Sequence, residues 1–166
     1  MSVSECWYFA YGSNMCAATF VERRGIRPLE TRCARLDAHR LCFNLAIGPG
    51  ERAVANVEAD AGACTWGVAY LISAEQAEHL DRTEGVHGGA YTRAAVTIET
   101  VSGERLAAFT YRSALTCEGR KPSARYLQLL LAGAREHGLP AEYVRALEAL
   151  ELAWDERLDA PRRDGA

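Results

Sequence analysis

The chain has 166 residues, 49% of them hydrophobic and 25% charged, with a formal net charge of −3. That length suits one domain with a real hydrophobic core, and the slightly acidic balance gives no footing for nucleic acid. No N-terminal basic segment followed by an apolar core reads as a signal peptide, and no apolar run nears the roughly 18 residues of a membrane span. The expectation is a cytoplasmic protein with no membrane partner.

The first informative stretch is Tyr8-Phe9-Ala10-Tyr11-Gly12-Ser13-Asn14-Met15. Cys6 to Tyr11 reads as a buried strand that Gly12-Ser13-Asn14 interrupts. Asn14 is a fitting N-cap for a helix from about Met15 to Arg24, with Gly25 as its C′ residue. Strand, glycine turn and helix start in that order leave unpaired N–H groups aimed at one point, where an anion is favoured. A turn that binds nothing fits the same pattern equally well.

Further strands are expected at Cys33–Asn44, Ala53–Glu58 and Cys64–Ile72, with turns at Ile47-Gly48-Pro49-Gly50 and Asp60-Ala61-Gly62. Tyr91 to Val101 alternates like a half-buried strand, and Ser102-Gly103 turns it into Arg105–Arg112. Six strands with few helices among them predict a closed or strongly curved sheet and argue against a doubly wound fold. Ser123 starts a helix to about His137 with Tyr126, Leu129, Leu130 and Gly133 on one stripe. Gly138 ends it, and Pro140 opens another that runs to about Trp154. Residues 1–155 are read as a single domain and 156–166 as a polar tail.

Between Ile72 and Tyr91 lies a short, well-specified helix. Ser73 and Gln76 form a capping box, and Gly85 is the C′ stop. Its apolar positions are Ala77 and Leu80, and Glu84 falls seven and four residues later on the same face. Burial and the helix dipole both disfavour a charged carboxylate there, which suits a group that carries a proton. A frayed helix end in water, or a pair with an arginine such as Arg93, explains the same position.

Other candidates are weaker. His39, His79, His87 and His137 have no ligand-like spacing, and no cysteine pair has the spacing of a metal site. The six cysteines, Cys42 and Cys64 among them, read as small buried hydrophobes, and Trp7, Trp66 and Phe109 as core. Ser13 lacks a Gly-x-Ser-x-Gly frame, and Cys16 has no identified base. No metal or organic cofactor is expected.

Taken together, Tyr8 to Asn14, Leu80-Asp81-Arg82-Thr83-Glu84-Gly85-Val86, Gly89-Ala90-Tyr91, Trp66-Gly67-Val68 and the stretch Tyr126 to Glu148 resemble the γ-glutamylcyclotransferase family, including its AIG2-like members. The resemblance implies an α+β fold, a small mixed β-barrel of about six strands flanked by helices. It implies cyclisation of γ-glutamyl amino acids or peptides to 5-oxoproline with release of the amine, by a monomer or homodimer. Glu84 matches the acid/base position, and Tyr8, Phe9, Ala10, Tyr11, Gly12, Ser13, Asn14 and Tyr126 match substrate-binding positions. Asn44 to Ala63 departs from the family's pattern beside the site, which leaves open the leaving amine. A γ-glutamylamine cyclotransferase, an enzyme removing γ-glutamyl protection in a biosynthetic route, and a non-catalytic γ-glutamyl binder remain alternatives.

Overall fold

The computed structural model describes residues 3–154; the expected polar tail lies outside the described residues. Five strands close a barrel: β1 (Glu5–Ala10), β2 (Glu30–Ala46), β3 (Ala53–Ser73), β4 (Thr92–Thr100) and β5 (Arg105–Arg112). Around the barrel they run β1-β3-β2-β4-β5. All pairings are antiparallel except β1 with β5, where Trp7 faces Ala108 and Tyr8 faces Phe109. The helices are α1 (Ala74–Thr83), α2 (Ala124–Glu136) and α3 (Ala141–Glu148). None of them is long and apolar enough to cross a membrane.

Five strands replace the six expected because Ala53–Glu58 and Cys64–Ile72 are halves of one strand. Asp60-Ala61-Gly62 does have turn chemistry, and Asp60 Oδ1 accepts the Gly62 N–H at 3.1 Å. It forms a bulge: β2 and β3 pair at Asp37↔Cys64 and resume at His39↔Ala59, so Ala38 alone opposes four residues. Ala38 takes a positive φ of 57° at this corner. Cys64, beside the bulge, is exposed, as is Cys117; only Cys16 is fully buried, so the reading of all six as buried hydrophobes is corrected. Trp7, Trp66 and Phe109 are partly buried, packed at the edges of the cores.

Strand alternation divides the apolar side chains into two cores. Phe9, Ala34, Leu36, Ala55, Val57, Ala69 and Ile98 form one, drawn almost wholly from strands. Tyr8, Val68, Tyr70 and Ile72 point the other way and pack with Leu80 of α1 and Leu127, Leu130 and Leu131 of α2. Fully burying side chains of this size contributes about 1.5–3 kcal/mol each. Both helix starts are capped as expected: Ser73 and Gln76 close the capping box, and Ser123 Oγ accepts the Tyr126 N–H. The β4–β5 turn is wider than the two residues expected, closing through Thr100 N–H to Glu104 O at 2.8 Å. The last helix stops at Glu148, short of Trp154.

Candidate active site

The segment after β1 is not the helix that its sequence suggests. Ser13–Met15 form a 3₁₀ turn, and Ala18–Arg23 a short π-helical segment ending at Gly25 with φ 71°. The turn bonds Met15 N–H to Gly12 O and Cys16 N–H to Ser13 O, both at 3.1 Å. The N–H groups of Gly12, Ser13 and Asn14 precede those donors and stay outside the turn's own bonds. Helix α2 fixes this loop from behind. A Cβ on Gly133 would meet Met15 C and Cβ at 2.5 Å, so only glycine lets α2 approach so closely. Glu136 of α2 also accepts the Ala17 N–H at 3.0 Å.

Asn14 does not cap a helix; its amide is the hub of the site. It is 5% exposed. Nδ2 donates to Tyr8 Oη at 3.0 Å and to Glu84 Oε1 at 2.8 Å, while Oδ1 accepts Arg24 Nε at 2.6 Å. Both amide hydrogens are thereby used. The Asn14 backbone carbonyl accepts Tyr70 Oη at 2.9 Å, which anchors the loop to β3.

Glu84 is the C-cap of α1, with its side chain 12% exposed, and Gly85 takes the expected left-handed turn at φ 66°. Its partner is not Arg93, which binds Asp81 at 2.7 Å, but Arg24, whose Nη2 stands 3.4 Å from Oε1. Nothing local in the sequence marks Arg24 for this role.

These residues line a cavity of ≈ 190 Å³, with Tyr8, Tyr11, Gly12, Ser13, Asn14, Glu84 and Tyr126 brought together in its wall. Phe9 and Ala10 are placed otherwise. Both are 0% exposed and lie in the two cores, because β1 turns alternate side chains away from the site and Ala10 ends the strand beneath the loop. Sequence reasoning did not assign Arg24, Tyr91, Tyr111, Val54 and Ala55 to the wall. Tyr91 lay within reach as part of Gly89-Ala90-Tyr91; the others carry no local signal.

Two phenols bracket one residue of β3. The Ala55 N–H donates to Tyr126 Oη at 3.0 Å, and Tyr91 Oη donates to the Ala55 carbonyl at 2.7 Å. Tyr111 Oη and Arg93 Nε both donate to Asp81. Burial alone would raise the Asp81 carboxyl, but these two donors hold it below its ordinary value. Burial pushes the Tyr126 phenol up to about 12, and Tyr8, Tyr11, Tyr91 and Tyr111 are raised as well, burial being the largest cause each time. The phenols are therefore neutral hydrogen-bonding groups. Among the described residues no cluster of three His, Cys, Asp or Glu is placed to hold a metal ion.

The model of the AIG2-like family matches residues 65–147, which include α1, Glu84, all of α2 and all but the last residue of α3. A γ-glutamyl cyclotransferase of Claviceps purpurea, gliK, is 34% identical over 80% of this chain and 64% of its own length. The γ-glutamylcyclotransferase of Bos taurus is 30% identical over 87% of this chain and 78% of that protein. A solved structure named γ-glutamyl cyclotransferase superposes with a TM-score of 0.79 at 28% identity, over 90% of this chain and 89% of that one. With a barrel of that shape, and with the family match running over the helix that carries Glu84, the chain belongs to the AIG2-like family of γ-glutamylcyclotransferases.

Proposed function

We propose that the chain is a cofactor-independent γ-glutamylcyclotransferase, closing γ-glutamyl compounds to 5-oxoproline and freeing the amine, with Glu84 moving the protons. One observation carries the assignment of Glu84. Among the titratable groups of the cavity wall, the phenols are raised out of reach and Arg24 is permanently charged. Glu84 is the one carboxylate among the described residues of that wall, with Oε1 fixed by the Asn14 amide. Its name-giving relatives support the reaction class.

The chemistry uses the substrate's own nucleophile. A γ-glutamyl group carries an α-ammonium, an α-carboxylate and a γ-amide on one short chain. Held folded, its α-ammonium loses a proton to Glu84, and the amine forms the new N–C bond at the γ-carbonyl. The electron pair of the carbonyl moves to oxygen, beside the N–H groups at Gly12 to Asn14. The intermediate collapses by breaking the bond to the departing nitrogen, which takes the proton held by Glu84; the carboxylate then removes the second proton from the ring nitrogen and passes it to the freed amine, which leaves as an ammonium. Orientation supplies much of the barrier reduction, since well-placed intramolecular groups behave as if at about 10⁵–10⁸ M. The proton relay adds roughly 10²–10⁴-fold.

Asn14 and Arg24 position the carboxylate, and Tyr126 and Tyr91 hold Ala55 as the opposite wall. The chain is proposed to act as a monomer or a homodimer. The six free cysteines suit a reducing compartment, in keeping with a cytoplasmic location. The test is release of 5-oxoproline from γ-glutamyl-alanine, with α-glutamyl-alanine as the isomeric control. Amine release from the γ isomer alone is expected; no 5-oxoproline from any of a panel including glutathione and γ-glutamyl-lysine refutes the reading.

A further inference from the structure

Arg24 has more hydrogen-bonding capacity than Asn14 and Glu84 use. The residue closes the π-helical segment, its N–H donating to Thr19 O at 3.0 Å, in a wide turn of a kind frequent at functional sites. His79 of α1, the helix that carries Glu84, donates from Nε2 to the Arg24 carbonyl at 2.8 Å. The backbone is held on both sides, and the side chain enters the wall of the reaction cavity, 21% exposed. Nε is spent on Asn14 Oδ1, and Nη2 faces Glu84 Oε1. Nη1, with two N–H donors, has no hydrogen-bond or ion-pair partner among the described residues. Arg24 is also the one cation among the described residues of that wall, and Glu84 the one anion.

We propose that Arg24 receives the α-carboxylate of the γ-glutamyl group, and is the residue by which the enzyme tells a γ-glutamyl compound from a 4-aminobutanoyl one. The inference rests on the cyclotransferase reading with Glu84 as proton carrier. The α-carbon of the substrate bears ammonium and carboxylate together, the carboxylate carbon two bonds from the nitrogen, about 2.5 Å away. An ammonium placed on Glu84 therefore brings the carboxylate beside the same Oε1, where Arg24 Nη2 stands at 3.4 Å. The charge pair of the wall repeats that of the substrate with the signs exchanged. A second substrate oxygen also needs donors, the γ-carbonyl oxygen that becomes anionic as the ring closes. The ring nitrogen lies between the α-carbon and the γ-carbonyl carbon, so carboxylate and oxyanion flank it on opposite sides and require separate donor sets. The wall holds two, the N–H groups of Gly12 to Asn14 and the Arg24 guanidinium. A permanent charge suits the guanidinium, which pairs with a carboxylate through parallel N–H donors. A charge that develops only in the transition state suits fixed backbone dipoles.

The matched substrates are γ-glutamyl-alanine and 4-aminobutanoyl-alanine, which differ only by the α-carboxylate. The first closes to 5-oxoproline and the second to 2-pyrrolidinone, and each frees alanine by the same ring closure. For the wild type, kcat/KM for the γ-glutamyl compound should exceed that for the other by roughly 10–100-fold, as hydrogen bonds between charged groups imply. In Arg24→Gln that ratio should fall about tenfold or more. Both substrates also lose whatever Arg24 contributes to holding Glu84, but they lose it equally, so it cancels from the ratio, as does the folded fraction of the variant. The intrinsic difference between the two amines is the same in both proteins and cancels when the ratios are compared. A large wild-type ratio that survives in Arg24→Gln overturns the carboxylate role and leaves the residue acting through Glu84 alone. Calorimetry on the wild type adds an arm that needs no variant: 5-oxoproline should bind roughly tenfold or more tightly than 2-pyrrolidinone. Equal affinities, or equal wild-type rates for the two substrates, overturn the proposal and leave the cyclotransferase reading standing. No cyclic product from either compound overturns the two together.

Discussion

Glu84→Gln separates proton transfer from every other task of that side chain. The amide oxygen of glutamine can occupy the place of Oε1, accepting Asn14 Nδ2 at 2.8 Å and still facing Arg24 at 3.4 Å. What disappears is the negative charge and the ability to exchange a proton. The Coulomb attraction lost at 3.4 Å is about 5 kcal/mol at an effective dielectric constant near 20. Both partners keep some exposure, 21% and 12%, and desolvation offsets most of that, so the net loss is about 1 kcal/mol. Removing a carboxylate from a helix C-terminus returns about 0.3–1 kcal/mol. The thermal midpoint should therefore move by less than about 4 °C, using 2–4 °C per kcal/mol for a chain of this size.

The chemical consequence is far larger. Without a proton carrier kcat should fall at least about 10²-fold, equivalent to some 2.7 kcal/mol of barrier. Affinity for the γ-glutamyl group should change little, because the 3₁₀ loop and the phenols do the holding. Turnover measured by 5-oxoproline release, product affinity by calorimetry and the midpoint by thermal melting decide the matter on one variant. Activity within tenfold of wild type refutes the role of Glu84 as proton carrier. Loss of the fold together with activity makes the residue structural and refutes the reasoning about its hydrogen bonds.

Asn14→Asp changes one donor to an acceptor 2.8 Å from Glu84 Oε1, so two carboxylates must share a proton; kcat at pH 7 should drop about 10²-fold, and the pH–rate profile should shift where a simple loss of fold would not shift it. Gly12→Ala places a methyl 3.0 Å from Tyr126 Oη, whose position the Ala55 N–H fixes, so KM should rise roughly tenfold. In the double variant with Tyr126→Phe the two effects should be less than additive; strict additivity would show that the methyl and the hydroxyl do not meet. Asp81 is held below its ordinary value by Arg93 and Tyr111, so it contributes stability that is present above pH 4 or so and is lost as pH falls through the lowered value. Asp81→Asn should flatten the acid limb of a stability–pH curve and lower the neutral-pH midpoint; an unchanged acid limb refutes the coupling.

The features legible in the sequence are those decided within a few residues. Ser73 and Gln76, Ser123, and Gly85 each act on backbone groups no more than three or four positions away, and each does in the structure what its neighbours imply. Placing Glu84 on the face of Ala77 and Leu80 belongs to the same class, since helical periodicity over two turns is a local property. The bulge at Asp60 to Gly62 marks the limit. Its turn chemistry is genuine, yet whether the chain reverses or continues is decided by pairing on either side with β2, residues 30–46. Asn14 is the sharper case. An asparagine after a glycine turn ordinarily serves the backbone of the next helix, and here that backbone needs nothing from it. Closing the barrel sets the end of β1 beside the end of α1, which brings a carboxylate 70 positions away within 2.8 Å. Arg24 takes the remaining side of the same amide. An amide offers a donor and an acceptor on one rigid plane, and so can hold a carboxylate and a guanidinium at once. That is a demand made by the assembled barrel, and a reading of neighbours along the chain has no access to it.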